Sequence, residues 1–127
     1  MSYQISWESD CVTINWEGKI SLEENIEANG VIYGDKRFDQ IKYQVSNLLN
    51  ANLSEMLIKN IKVVGELDKQ SAIWNKRLQV VHIATDSHTL KLIDYWEQLM
   101  HGSGWSFKTF STINEAEKWV NGLRRSN

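Results

Sequence analysis

The chain has 127 residues, a length typical of one domain that buries a core without disulfides or metals. Hydrophobic residues make up 42% and charged residues 24%, which argues against a disordered or fibrous chain. The net charge is −2 and no long run of like charge occurs, which argues against nucleic acid as a partner. We therefore expect one domain over residues 1–127.

The sequence also bears on the cellular compartment. Its first residues lack the basic and apolar regions of a secretory signal, and no window approaches the length of a membrane span. Cys11 is the single cysteine, so an intrachain disulfide is excluded and nothing indicates an oxidising compartment. These features predict a cytoplasmic protein without a membrane span.

The first elements are predicted to form a β-hairpin. Apolar residues alternate with polar ones on both sides of Ser9 and Asp10, at Ile5, Trp7, Val12, Ile14 and Trp16. The second strand is expected to end at Glu17 and Gly18. Residues 21–24 (Ser-Leu-Glu-Glu) match a capping box and predict a helix that continues to about Gly34.

A second strand and helix follow. Residues 43–49 are predicted as a strand, and residues 50–54 as loop with helix-cap chemistry. The spacing of Leu57, Ile61 and Val64 indicates the buried face of a long helix.

The third strand is the most apolar of the chain. Residues 78–85 form a nearly continuous apolar run, which is typical of a central strand buried on both faces. Asp86 or Ser87 can cap a helix that continues with one apolar face until Gly102. Residues 105–110 are predicted as a short aromatic strand.

A last helix closes the chain after a second capping box at residues 112–115 (Thr-Ile-Asn-Glu). The resulting order is β-β-α-β-α-β-α-β-α. Alternating strands and helices predict an α/β fold with a mostly parallel five-stranded sheet packed with four helices, the first hairpin adding an antiparallel edge.

This order resembles the SpoIIAA-like family, small bacterial domains related to STAS domains and grouped with Sec14-type lipid-binding domains. The resemblance covers most of the chain and rests on the helix with Glu23 and Glu24, on residues 43–54 and 77–86, and on Phe110 with residues 114–120. It implies a β-α superhelix and a non-enzymatic regulatory or protein-interaction module. The Sec14 kinship implies an alternative, the binding of a lipid or another small apolar ligand.

The resemblance also draws attention to Ser54. In the classical anti-sigma-factor antagonists of this family, a serine after an aspartate at the start of the second helix is phosphorylated by a kinase partner. Here the passage over residues 50–54 reads Asn-Ala-Asn-Leu-Ser, and Asn47 stands where an aspartate would be usual. A phosphate on Ser54 would suit the positive end of a helix dipole, but serine is also a good plain N-cap, which we favour.

The candidate ligand- or phosphate-binding residues are Asn52, Ser54, Asp86, Ser87 and His88. They follow two predicted strands, and open α/β sheets bind ligands at the carboxyl ends of their strands. Helix capping explains Asp86 and Ser87 equally well. Adjacent serine, histidine and aspartate residues do not form a triad, because triad side chains converge from separate places in a fold. No catalytic residue, and therefore no enzyme, is predicted.

The three histidines do not predict a metal site. His82 lies within the apolar strand, where a neutral imidazole hydrogen-bonded to the backbone is expected, and His88 and His101 are not spaced with it as ligands. No metal or cofactor is therefore predicted.

Six tryptophans are many for this length, so some are expected on an interface. Trp7 and Trp16 are the candidates, in a homodimer that uses the open sheet face. The C-terminal aromatic residues line an apolar pocket or complete the core, and we favour the core; they are Trp105, Phe107, Phe110 and Trp119.

Overall fold

A computed structural model describes residues 2–126, and over this range the chain forms five strands and four α-helices in the predicted order. The strands are β1 (Tyr3–Trp7), β2 (Cys11–Lys19), β3 (Tyr43–Asn52), β4 (Gln79–Ile83) and β5 (Ser106–Phe110). The α-helices are α1 (Leu22–Tyr33), α2 (Ile58–Ser71), α3 (Ser87–Leu99) and α4 (Ile113–Ser126), with a 3₁₀ turn at Phe38–Gln40. The predicted α/β fold class is confirmed.

The five strands form one sheet in the order β1-β2-β3-β4-β5. β1 and β2 pair antiparallel, and every later pair is parallel. Since β2 to β5 run in the same direction, their carboxyl ends lie along one edge of the sheet, which we call the carboxyl edge.

The two faces of the sheet carry different helices. Side chains of α1, α2 and α3 pack with Val12, Ile14 and Trp16 of β2 in the larger core. Ala116 and Val120 of α4 pack on the opposite face, in a smaller core. Because strand side chains alternate between faces, β4 is buried on both, as its continuous apolar run predicts.

Three of the helix starts follow the predicted capping chemistry. The Ser21 hydroxyl accepts from the backbone N–H of Glu24 at 3.1 Å, completing the first capping box. Asp86 caps α3 by accepting from the Thr89 N–H at 3.0 Å. Thr112 accepts from the Glu115 N–H at 3.2 Å at the start of α4.

The start of α2 corrects two predictions. β3 continues to Asn52 because β2 also runs past Gly18 to Lys19, and the two strand ends pair. The helix consequently begins at Ile58, after Leu57, whose N–H donates to Asn60 Oδ1 at 2.8 Å. The predictions that residues 50–52 form a loop and that Ser54 caps this helix are therefore wrong. Leu57, predicted to be buried, is 50% exposed.

An ion pair joins the hairpin turn to the last helix. The Arg124 guanidinium donates to both carboxylate oxygens of Asp10, at 2.7 and 2.8 Å. This bidentate contact lowers the pKa of Asp10, mainly through the hydrogen bonds from Arg124. It ties the hairpin turn to α4 over 114 residues of chain.

Replacing Arg124 by alanine should lower the free energy of unfolding by about 1 kcal/mol, because a bidentate but partly exposed ion pair is lost. Urea titration followed by tryptophan fluorescence measures this change. Arg125→Ala is the matched control, since Arg125 is the exposed neighbour. Equal losses in the two variants would contradict a specific role for the Asp10 contact.

Candidate functional site

The candidate residues after β3 and β4 meet at the carboxyl edge. The imidazole Nε2 of His88, in the first turn of α3, lies 2.9 Å from the carbonyl oxygen of Met56 in the loop before α2. At the end of β3, Asn52 Oδ1 accepts from the N–H of Ser54 in the same loop, at 2.9 Å. The structure thus brings the two predicted segments into contact, through a backbone carbonyl.

Asp86 and Ser87 play different parts at this edge. The Asp86 carboxylate accepts from the backbone N–H and from the hydroxyl of Thr89, both at 3.0 Å, and these bonds lower its pKa. Asp86 is therefore engaged in capping α3. Ser87 is exposed, as is Ser54 on the neighbouring loop.

An exposed apolar pair lies next to Ser54. Leu57 is 50% exposed and Ile58 is 55% exposed, at the entry to α2. We call Ser54, Leu57, Ile58, Ser87 and His88 the edge surface. Lys19 and Glu55 form an exposed ion pair of 3.2 Å in the same region. Within residues 2–126, no group of three His, Cys, Asp or Glu side chains is arranged to hold a metal ion.

Trp16 does not lie on an open face. It is only 4% exposed, and its indole N–H donates to Ser46 Oγ at 2.9 Å inside the larger core. The hairpin register pairs Trp7 with Val12, which places Trp7 on this same helix-covered side. The prediction that Trp16 offers an interface is therefore wrong.

Trp7 is half-buried at the edge of the sheet, and the Arg37 guanidinium lies 4.3 Å from its ring centre. Its part in a homodimer stays a prediction. The most exposed indole in the described range belongs to Trp74, at 74%, which the sequence patterns did not single out.

The C-terminal aromatic residues pack in the two cores, which is the alternative that we favour from the sequence. The Trp105 indole donates to the carbonyl oxygen of Asn75 at 2.6 Å. Phe107 packs against Trp96, with ring centres 5.1 Å apart, and Phe110 packs against Trp119 at 5.9 Å.

Polar side chains inside the larger core form a second site. A cavity of about 80 Å³, partly open to solvent, lies between the sheet and the helices α1, α2 and α3. Polar residues on its wall include Gln44 and Ser46 of β3, Asp68 of α2 and His82 of β4. We call this the core cavity.

Asp68 is 3% exposed and accepts two hydrogen bonds. Tyr33 donates its hydroxyl to one carboxylate oxygen at 2.6 Å, and Trp96 donates its indole N–H to the other at 2.7 Å. Burial outweighs both bonds and raises the pKa of Asp68 to about 6.

His82 differs from its prediction. Its Nδ1 is buried and has no hydrogen-bond partner among residues 2–126, so the expected bond to the backbone is absent at this atom. The ring instead lies edge-on to Trp96, with centres 5.1 Å apart. Burial lowers the pKa of His82 to about 4, which keeps the imidazole neutral at pH 7.

Asp68 could have been found from the sequence, because it continues the helical spacing of Ile61 and Val64 onto the buried side. A carboxylate in such a stripe is a local signal of a polar site inside a core. Its partners Tyr33 and Trp96 come from distant parts of the chain, so no pattern along the sequence indicates them.

Sequence comparisons find no family model and no curated protein that matches this chain. Comparison with solved structures does find similar folds. The anti-sigma factor antagonist SpoIIAA in its unphosphorylated form aligns with a TM-score of 0.61 at 13% identity, over 94% of this chain and 98% of SpoIIAA.

An uncharacterised protein of the DUF3478 family from Shewanella loihica, described as having a SpoIIAA-like fold, aligns with a TM-score of 0.57 at 14% identity. The alignment covers 93% of this chain and 91% of that protein. The present chain therefore has a SpoIIAA-like fold, as the resemblance implies. In residues 2–126, no helix has the length and apolar character needed to cross a membrane.

Proposed function

We propose that this protein is a non-enzymatic regulatory module that binds a protein partner through the edge surface. The observation that carries the proposal is the exposure of Leu57 and Ile58 beside Ser54, on a loop that His88 contacts. Neighbouring exposed apolar residues with polar residues around them are typical of protein-binding patches. The SpoIIAA-like fold agrees with an interaction module.

The proposal gives the predicted site residues a common role. Asn52 and Asp86 accept hydrogen bonds from backbone N–H groups in the two segments, and His88 contacts the loop that carries Ser54 and leads to the apolar pair. Ser87 lies next to His88 in the first turn of α3. The partner is a second copy of this chain or a different protein. The cytoplasm is the proposed compartment, and the free thiol of Cys11 is compatible with it.

Photocrosslinking at single positions tests the edge surface. A benzoylphenylalanine residue in place of Ile58 should give one discrete adduct in cells that express the protein. The same residue in place of Ile73, which is 67% exposed but lies outside the edge surface, should give none. The mass of the adduct distinguishes a second copy from a different protein.

A further variant checks that the adduct reports specific binding. Leu57→Asp should abolish the Ile58 adduct, because it places a charge in the apolar pair. Adducts of similar yield from both positions, or none from position 58, would contradict the proposed surface.

Binding of a small apolar ligand is the second candidate, and one observation favours it. A cleft of about 240 Å³ lies between α4 and the sheet, with Val45, Ile83 and Val120 on its wall. It is slightly smaller than drug-sized pockets of about 300–1,000 Å³, which suits a compact molecule better than an acyl chain. Native mass spectrometry of the purified protein would reveal a ligand that copurifies.

A further inference from the structure

We propose that the core cavity binds a small neutral molecule with N–H donors, of the amide or urea type, through the side-chain oxygen of Gln44. This site is distinct from the edge surface and does not depend on the proposed function. Its volume of about 80 Å³ compares with about 30 Å³ for each molecule of liquid water. The space therefore holds two to three water molecules, or a ligand of about that size.

Gln44 supplies the evidence for a ligand. Its side chain is 6% exposed and lines the cavity, yet its Oε1 accepts no hydrogen bond from any described residue. An unsatisfied buried acceptor is destabilising by about 1–3 kcal/mol, so such atoms are rare without a bound partner. We therefore expect Gln44 Oε1 to accept a hydrogen bond from a donor outside the chain.

The neighbouring groups define how the Gln44 amide is oriented. Tyr33 uses its only hydroxyl proton to donate to Asp68, at 2.6 Å. Burial and Asp68 raise the pKa of Tyr33, whereas the Gln44 side chain lowers it, as an amide NH₂ near the phenol oxygen does. This orientation leaves Oε1 as the atom available to the cavity.

Two more polar atoms complete the wall. His82 Nδ1 is buried and has no partner within residues 2–126. Ser46 Oγ already accepts from the Trp16 indole, so its own proton can be donated to a ligand oxygen. A ligand with an N–H donor and a carbonyl acceptor satisfies Gln44 and Ser46 together, as amides and ureas do.

Charge selects against anions in this cavity. Asp68 lies on the wall, and its carboxylate is ionised at neutral pH. An anionic ligand would be repelled by this carboxylate and would lack the donor that Gln44 requires. Acetamide and acetate therefore form a matched pair of probes, equal in size but different in charge and in donor capacity.

The test uses NMR spectra of the six tryptophan indole N–H groups in the unaltered protein. Trp16 and Trp96 line the core cavity, and Trp74 is exposed outside it. Acetamide and urea should shift the Trp16 and Trp96 signals in a saturable way and leave Trp74 in place. Acetate should leave all three signals unchanged.

Gln44→Leu removes the acceptor at similar volume and should weaken acetamide binding at least tenfold. If that variant does not fold, the comparison of acetamide with acetate still decides the question. No saturable shift with either neutral probe would mean that only water enters the cavity, and equal shifts with acetate would exclude donor recognition. Either outcome overturns the proposal.

Discussion

Asp68→Asn should make the protein lose about 3 kcal/mol of unfolding free energy as the pH falls from 6.5 to 4, a loss that the unaltered protein does not show. The reason lies in two buried groups whose pKa values move in opposite directions. Burial raises the pKa of Asp68 from 3.8 to about 6 and lowers that of His82 from 6.5 to about 4. Each displacement corresponds to about 3 kcal/mol, at about 1.4 kcal/mol per pKa unit.

The two groups have opposite effects on stability. Between pH 4 and pH 6, Asp68 holds a proton in the folded state but not in the unfolded state, so its contribution to stability falls as pH rises. Between pH 4 and pH 6.5, His82 is protonated only in the unfolded state, so its contribution rises with pH. In the unaltered protein the two slopes nearly cancel.

Single variants separate these slopes. Asp68→Asn retains an acceptor for the Trp96 indole and a polar group for Tyr33. In this variant the pH dependence of stability that comes from His82 is no longer cancelled. His82→Gln should do the reverse, so that stability increases by about 2 kcal/mol from pH 6 to pH 4. Urea titrations at closely spaced pH values measure both profiles. Parallel profiles for the unaltered protein and the two variants would contradict this account of the core.

Most of the fold could be predicted because its signals are local. A capping box such as Ser21 with Glu24 acts within four residues, and the alternation in β2 follows from strand geometry alone. The apolar run of β4 indicates burial on both faces without knowledge of the neighbouring strands. Local signals predict these elements correctly because no contact with a distant part of the chain competes with them.

The loop before α2 could not be predicted because strand pairing overrides a local signal. Asn52 and Ser54 have cap chemistry, but Lys19 pairs with Asn52 and keeps this segment extended. Asn52 then accepts a hydrogen bond from Ser54 itself, and the helix begins four residues later. The length of a paired strand depends on its partner, which is a property of the fold.

The tryptophans show a second limit. Trp7 and Trp16 alternate with polar residues, and this pattern places both side chains on the apolar face of the hairpin. Which face the helices would cover depends on the path of the chain after β2, and α1 crosses on the side of Trp16. The core cavity could not be predicted either, because Gln44, Asp68 and His82 belong to three separate elements.

Asn75→Ala should lower the free energy of unfolding by about 2–4 kcal/mol, because it leaves buried backbone groups without their hydrogen-bond donor. Asn75 is 8% exposed, and its amide donates to the carbonyl oxygens of Phe38 and Ile41, at 2.8 and 2.9 Å. These carbonyls belong to the connection between α1 and β3, which contributes no strand or α-helix of its own. Without the amide, two buried acceptors lose their donor.

Asn60→Ala is the matched control, because Asn60 is the same residue type but accepts one exposed hydrogen bond, from the Leu57 N–H. Loss of this hydrogen bond should lower the free energy of unfolding by about 1 kcal/mol, the usual effect of removing a helix cap. Urea titration of both variants measures the difference, and hydrogen exchange should show faster opening of residues 35–42 in Asn75→Ala alone. If the two losses were equal, water would be replacing the Asn75 amide, and the connection would be more accessible than its burial indicates.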